Sequence, residues 1–266
     1  MPAAAAGAVP RITLDPAWRT VDFLSDLHLA EDLPATTAAF TQYLAHTSAD
    51  AVFLLGDLFE VWVGDDMATR PYEGACVAAL ARTAQARAVF VMHGNRDFLL
   101  GDAFFAATGA RPLADPTAVT GLGRTVVLTH GDAWCLDDKP YQAFRAQSRH
   151  PAWAAALLAK PLEERLALGA QMRAASKAHQ MAPVTLADVD EGAARAAMQA
   201  VGADTLVHGH THRPATQPFG GGTRNVLSDW HLDPDAEGHA GHGAARAEVL
   251  RWTASGFTRL APADAR

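Results

Sequence analysis

Seven residues at five places in this chain have the types and spacing to hold metal ions. They are Asp26 and His28 in Asp-Leu-His, Asp57 in Gly-Asp, Asn95 in Gly-Asn, His130 in His-Gly, and His208 and His210 in His-Gly-His-Thr-His-Arg-Pro. Two carboxylates, one carboxamide and four imidazoles form an oxygen and nitrogen set without thiolate, which suits Mn²⁺, Fe²⁺ or Zn²⁺ better than Ca²⁺ or Mg²⁺. Seven donors exceed one tetrahedral ion and suffice for two if a carboxylate bridges. Asp57, at a central strand tip, is the natural bridge. Two ions roughly 3.5–4 Å apart can activate a shared water at neutral pH and clamp the oxygens of a phosphoryl centre. Any one of these pairs alone reads better as a strand-end turn. Five in order along one chain are hard to obtain by chance.

The elements that must position them follow from the flanks. Short apolar runs at 20–25, 51–55, 88–92, 124–129 and 204–207 read as strands, and each ends at one of the five junctions. The near-continuous runs at 51–55 and 88–92 predict strands buried on both faces. Helical spacing fills 34–46 and 71–84. Strand, polar tip, helix, strand is the order of a layered α/β fold, in which ligands bind beyond the carboxyl ends of the strands.

Between His130 and His208 the alternation breaks. Residues 151–158 and 162–168 are helical stretches separated by Pro161, which predicts a helical cap inserted at about 137–185 in a single domain spanning 1–266. Past His212 the chain turns β-rich at 225–230, 247–252 and 257–260. His231, His239 and His242 fall in loop background.

Composition narrows the function. With 49% hydrophobic residues in 266, a sizeable core is expected, and a net charge of −7 argues against a nucleic-acid partner. Two cysteines, Cys76 and Cys135, are too few for a disulfide framework and fit a reducing cytoplasm. Residues 1–10 are low-complexity and expected to fray; they lack the basic and apolar regions of a signal peptide. No apolar run approaches the roughly 18 residues that span a bilayer, so the chain reads as soluble or at most peripheral.

Taken together, the five junctions resemble the calcineurin-like metallophosphoesterase superfamily over roughly residues 20 to 230. The resemblance implies a four-layer αββα sandwich and a dinuclear centre. Asp26, His28, Asp57 and His210 would hold one ion; Asp57, Asn95, His130 and His208 would hold the other. The wording of residues 56–66, 93–99, 130–138, 141–145 and 209–214 is similar to the UDP-2,3-diacylglucosamine diphosphatase family within it. That likeness implies two Mn²⁺ ions and hydrolysis of the substrate's pyrophosphate to UMP and 2,3-diacylglucosamine 1-phosphate (lipid X). Metal-bridged water would attack the UMP-side phosphorus. The setting would be lipid A synthesis, with a monomer in peripheral contact with the cytoplasmic face of the inner membrane.

Arg96 stands where the superfamily usually has His after Gly-Asn. An arginine cannot donate a proton at neutral pH but can clamp phosphate oxygens, which suits a phosphoanhydride with a weakly basic leaving group. A plain ion pair with Asp97 is the competing reading. Asn95 and Arg96 are therefore the expected catalytic pair. By the same likeness Asn95, Arg96, Asp138, Ser176, Gln180 and His208 would meet the substrate's polar part. Gln180 stands where Asn is common, Pro183 where Lys is common and Ser228 where Gly is usual; Arg173 or Lys177 could replace the missing lysine charge. Trp153, Leu157, Leu158, Leu162, Leu166 and Leu168 would line an acyl slot or simply pack the cap, with Lys160, Arg165, Arg173 and Lys177 as its basic side. Two other classes compete: a phosphoesterase of small nucleotides, which Arg96 and the apolar cap disfavour, and a non-catalytic scaffold, which retention of all seven donors disfavours.

Overall fold

A computed structural model describes residues 8–181, 188–233 and 245–266, with 175–181 described by backbone alone. Its strands are β1 (Arg11–Thr13), β2 (Thr20–Leu24), β3 (Ala51–Leu55), β4 (Ala88–Met92), β5 (Arg111–Leu113), β6 (Thr117–Gly121), β7 (Arg124–Thr129), β8 (Thr205–His208), β9 (Ala215–Phe219), β10 (Gly222–Val226), β11 (Val249–Thr253) and β12 (Gly256–Leu260). Its helices are α1 (Pro34–His46), α2 (Pro71–Ala86), α3 (Asp102–Thr108), α4 (Lys139–Ser148), α5 (Pro151–Leu158), α6 (Leu162–Met181) and α7 (Glu191–Val201).

The strands form two mixed six-stranded sheets, β12-β11-β2-β3-β4-β5 and β1-β6-β7-β8-β10-β9. Strand periodicity explains the layering. Along β3, Ala51, Phe53 and Leu55 face the second sheet, while Val52 and Leu54 face the helices. Alternate residues of β4 divide in the same way, with Phe90 and Met92 inward and Val89 and Val91 outward. Phe53 stacks on Phe90 with ring centroids 4.4 Å apart. Across the interface, Val119, Val126, Leu128 and Val207 complete the inter-sheet core. On the far face, Val127 and Leu206 pack under Ala194, Met198 and Val201 of α7. The order of layers is thus α1–α3, first sheet, second sheet, α7, the αββα sandwich expected.

Helix ends are set by local chemistry. Asp190 caps α7 by accepting the Ala193 N–H at 2.7 Å, and Gly202 ends it at φ 67°. Pro34 and Pro71 open α1 and α2, where a missing N–H costs nothing.

Three expectations are corrected. The strand expected at 225–230 is Gly222–Val226; past it the chain turns under the site, and Trp230 donates its N–H to Asp26 O at 2.9 Å. The helix expected at 162–168 runs on to Met181. Arg165 is no surface cation: it is buried against Asp66 and donates to Val63 O at 2.7 Å. In the cap, Leu157 is buried in the helix-side core, and Trp153, Leu162, Leu166 and Leu168 pack partly buried against it, whereas Leu158 stays 45% exposed.

Candidate metal centre

The carboxyl ends of β2, β3, β4, β7 and β8 deliver the site. Hydrogen bonding between the first two strands continues beyond them: Asp26 N donates to Gly56 O at 3.1 Å and His28 N to Asp57 O at 3.0 Å. Asp26, His28, Asp57, His210 and His212 all adopt left-handed backbone, with φ between 49° and 66°. A non-glycine residue there costs about 1–3 kcal/mol and persists only where surrounding contacts fix it, as at functional sites. The segments also approach closely. A Cβ on Gly94 would lie 2.0 Å from Asp57 Oδ1, and one on Gly209 would lie 1.8 Å from Ser25 Oγ.

Two donor groups result. Donor atoms of Asp26, His28 and His212 lie within 4.8 Å of one another, and so do those of Asp26, Asp57 and His130. Asp57 lies between them, with Oδ2 3.9 Å from His28 Nε2 and Oδ1 3.8 Å from His130 Nε2. Asn95 Oδ1 lies 3.0 Å from His130 Nε2 and 2.8 Å from His210 Nδ1. Asp26, His28, Asp57 and His130 are buried, and Asn95, His210 and His212 are partly buried.

The arrangement fits cations. His28 Nδ1 sits 2.6 Å from Glu60 Oε2, and His130 Nδ1 sits 2.9 Å from Leu55 O. A carboxylate and a carbonyl only accept, so both Nδ1 atoms donate. In the neutral ring each Nε2 would turn a lone pair toward carboxylate oxygens, acceptor facing acceptor, so the site calls for a positive charge there, either a metal ion or a proton on the ring. Asp26 Oδ1 is buried without a hydrogen-bond partner. The same field governs the protons. Burial depresses the His28 ring, but Glu60 and Asp57 outweigh it and lift its pKa to about 9. Burial likewise depresses His130, and Asp57, Asp26 and Asp132 lift it to about 9. Burial raises Asp57.

His208 does not join this group. Its Nδ1 lies 2.8 Å from Gly209 O and its Nε2 accepts from Arg224 Nε at 2.8 Å, so both ring nitrogens are engaged. Burial first, and then the Arg224 charge, lower its pKa to about 4. The reason is strand periodicity. β8 ends at His208 itself, and His208 shares the face of Leu206, toward α7, two residues along. Arg224 pairs in register with Leu206 and reaches the same side, where it also meets Asp188. The expected pair His208 and His210 is therefore corrected to His210 and His212, the latter with Nε2 3.3 Å from Asp26 Oδ1.

The other expected residues fall as follows. Arg96 is not paired with Asp97, whose carboxylate instead accepts the Leu58 and Gly94 N–H groups at 2.7 and 2.8 Å. The Arg96 backbone N–H donates to Asp57 Oδ1 at 2.8 Å, and its guanidinium lies 3.8 Å from Glu60. Asp138 caps α4, accepting the Tyr141 N–H at 3.0 Å. The side chains of Ser176, Lys177 and Gln180 lie outside those described, as do Pro183, His239 and His242. Sequence reasoning missed Glu60, which meets His28, Arg96 and Arg173, and buried Asp132, which holds Tyr141 and Arg145 of α4 over the strand ends. The Gly-Asp-Leu-Phe-Glu wording carried the signal for Glu60: a carboxylate three residues past a donor, in an apolar run.

The calcineurin-like phosphoesterase family matches residues 19–214. The UDP-2,3-diacylglucosamine hydrolase of Chromobacterium violaceum is 48% identical over 215 residues, covering 79% of this chain and 90% of that protein. The protein of the same name from Xanthomonas axonopodis pv. citri is 42% identical over 238 residues, 82% of this chain and 96% of its own. That of Cellvibrio japonicus is 42% identical over 231 residues, with the same two coverages. On likeness of that length and identity, the chain belongs to the calcineurin-like phosphoesterase family.

Proposed function

We propose that this chain hydrolyses the pyrophosphate bond of UDP-2,3-diacylglucosamine, giving UMP and 2,3-diacylglucosamine 1-phosphate, in lipid A synthesis. The observation that carries the reaction class is Asp57, which offers one carboxylate oxygen to each of two donor groups. The relatives' name supplies the substrate. Asp26, His28, Asp57 and His212 would hold one ion, and Asp57, Asn95, His130 and His210 the other; the donor set suits Mn²⁺. Bound there, two such ions would lower the pKa of water and neutralise charge developing on a phosphoryl group.

The protein's own residues orient the reaction. In it, a water oxygen bonds to the UMP-side phosphorus, its proton passes to solvent, and the bond to the bridging oxygen breaks. The sugar 1-phosphate leaves as a weak base and requires no proton at that step. Arg96 serves this by presenting a planar fork to phosphate oxygens rather than a proton. It is already steered toward the site by Glu60 and by its own N–H on Asp57. Asp132 fixes α4 over the strand ends through Tyr141 and Arg145, so the cap covers the site from one side. Among the described residues, exposed Leu158 on α5 and Leu136 ahead of α4 are the large apolar side chains left open for acyl contact. None of the described helices is long and apolar enough to cross a membrane. We place the chain as a monomer in local, peripheral contact with the cytoplasmic face of the inner membrane.

The test uses metal-stripped protein with Mn²⁺ restored, assayed on UDP-2,3-diacylglucosamine, on the deacylated UDP-sugar and on a nitrophenyl phosphodiester. Turnover of the acylated substrate alone, releasing UMP and not UDP, is expected. Turnover of the phosphodiester with the lipid left intact would remove the substrate assignment.

A further inference from the structure

Glu60 is 7% exposed and belongs to no donor group, yet three elements meet on it. It follows Phe59, which bridges to Leu29 just past His28, and its own N–H donates to Leu29 O at 3.2 Å. Oε2 accepts from His28 Nδ1 at 2.6 Å. Oε1 lies 2.8 Å from Nε of Arg173 on α6, and 3.8 Å from Arg96 Nη1. The two oxygens face different parts of the molecule: one the metal centre, one the cap. A carboxylate behind a ligating imidazole fixes its tautomer and ring orientation, and losing it typically costs 10–100-fold in metal affinity. The contact with Arg173 is an ion pair without hydrogen-bond alignment, so it draws the cap helix toward the buried carboxylate by charge.

We infer that Glu60 is a positioning residue that joins the metal centre to the cap, holding His28 with one oxygen and Arg173 of α6 with the other. The inference rests on the proposed metal site. Its consequence is that the two functions separate by atom. Removing Arg173 leaves Oε1 facing the Arg96 guanidinium 3.8 Å away and keeps the bond to His28. Removing the Glu60 carboxylate loosens both.

The experiment measures Mn²⁺ binding by calorimetry and hydrogen exchange of α6 for the wild-type chain and for Glu60→Ala, Glu60→Gln and Arg173→Ala. The wild type should bind two equivalents. Glu60→Ala should weaken one of them by roughly 10–100-fold, leave the other nearly unchanged, and speed exchange along α6. Glu60→Gln keeps an amide oxygen for the His28 N–H and should recover most of the metal affinity, but not the protection of α6. Arg173→Ala should speed exchange in α6 with metal affinity within about threefold. Wild-type binding of two ions with no change in either on Glu60→Ala, in a variant of unaltered circular dichroism, would overturn the inference and spare the metal site. Equal weakening of both ions with no recovery by Gln would also overturn it, since that is general loosening. Absence of Mn²⁺ binding by the wild type would overturn both readings.

Discussion

At the scale of single residues, the informative contrast is between three histidines spaced two apart. His208 points toward α7 and serves Arg224; His210 and His212 point to Asn95 and Asp26. His212→Ala should weaken one of the two proposed Mn²⁺ ions by roughly a hundredfold or more, beyond what loss of an outer carboxylate does, with little change in thermal stability of the metal-free chain. His208→Ala should keep both ions and instead cost about 1–3 kcal/mol of stability, because buried Arg224 loses an acceptor. Calorimetric metal titration beside thermal melts separates the two, and the reverse pattern would restore His208 to the metal centre. The donor types were legible in the sequence because Asp, Asn and His at strand ends are rare together. Which histidines turn inward was not, because that depends on where β8 stops. Once the strand is known to include His208, alternation puts it on the face of Leu206.

Among the elements, the buried strands were the easiest to read and the edges the hardest. β3 and β4 announced themselves because both of their faces are covered, so every position is apolar. β1, β5, β6 and β9 escaped notice: the first two are three residues long, and β9 is mostly exposed and carries Pro218. α7 was missed although its buried Ala194, Met198 and Val201 fall on one side. The junction that joins elements to chemistry is Gly209, between β8 and the two inward histidines. An added Cβ would meet Ser25 Oγ at 1.8 Å and Asp26 Oδ2 at 2.3 Å, both buried. Gly209→Ala should therefore displace the loop that carries His210 and His212, while the sheets beneath keep their register. The expected result is unchanged far-ultraviolet circular dichroism with at least tenfold weaker Mn²⁺ binding, on the order of what misoriented ligands cost. Full metal affinity in this variant would mean that the loop has slack the packing does not suggest.

For the whole molecule, the question is whether four layers open as one. The two cysteines answer it, because chance has placed them in opposite outer layers. Cys76 lies on α2 in the helix-side core, and Cys135 lies under α7. Both are free and buried. Burial lifts the Cys76 thiol to about 11, and burial together with the Asp132 charge lifts Cys135 to about 12. Thiolate is the reactive form, so at pH 8 on the order of one Cys76 in a thousand is reactive even before access is considered. Raising the pH from 8 to 9 should therefore speed the slow native-state labelling about tenfold, against about threefold for an unfolded thiol, and unfolding, which returns both thiols to a pKa near 8.5, should release both at once. The two outer layers share one inter-sheet core, built from β2, β3 and β4 on one side and β6, β7 and β8 on the other. Loss of that core exposes both faces together, so in dilute denaturant Cys76 and Cys135 should label at the same rate, set by global stability. Mass spectrometry of single-cysteine variants, Cys76→Ala and Cys135→Ala, resolves the rates. Faster labelling at Cys135 would show that α7 detaches before the sheets part, placing the layer beside His208 and Arg224 at the low-stability end of the fold.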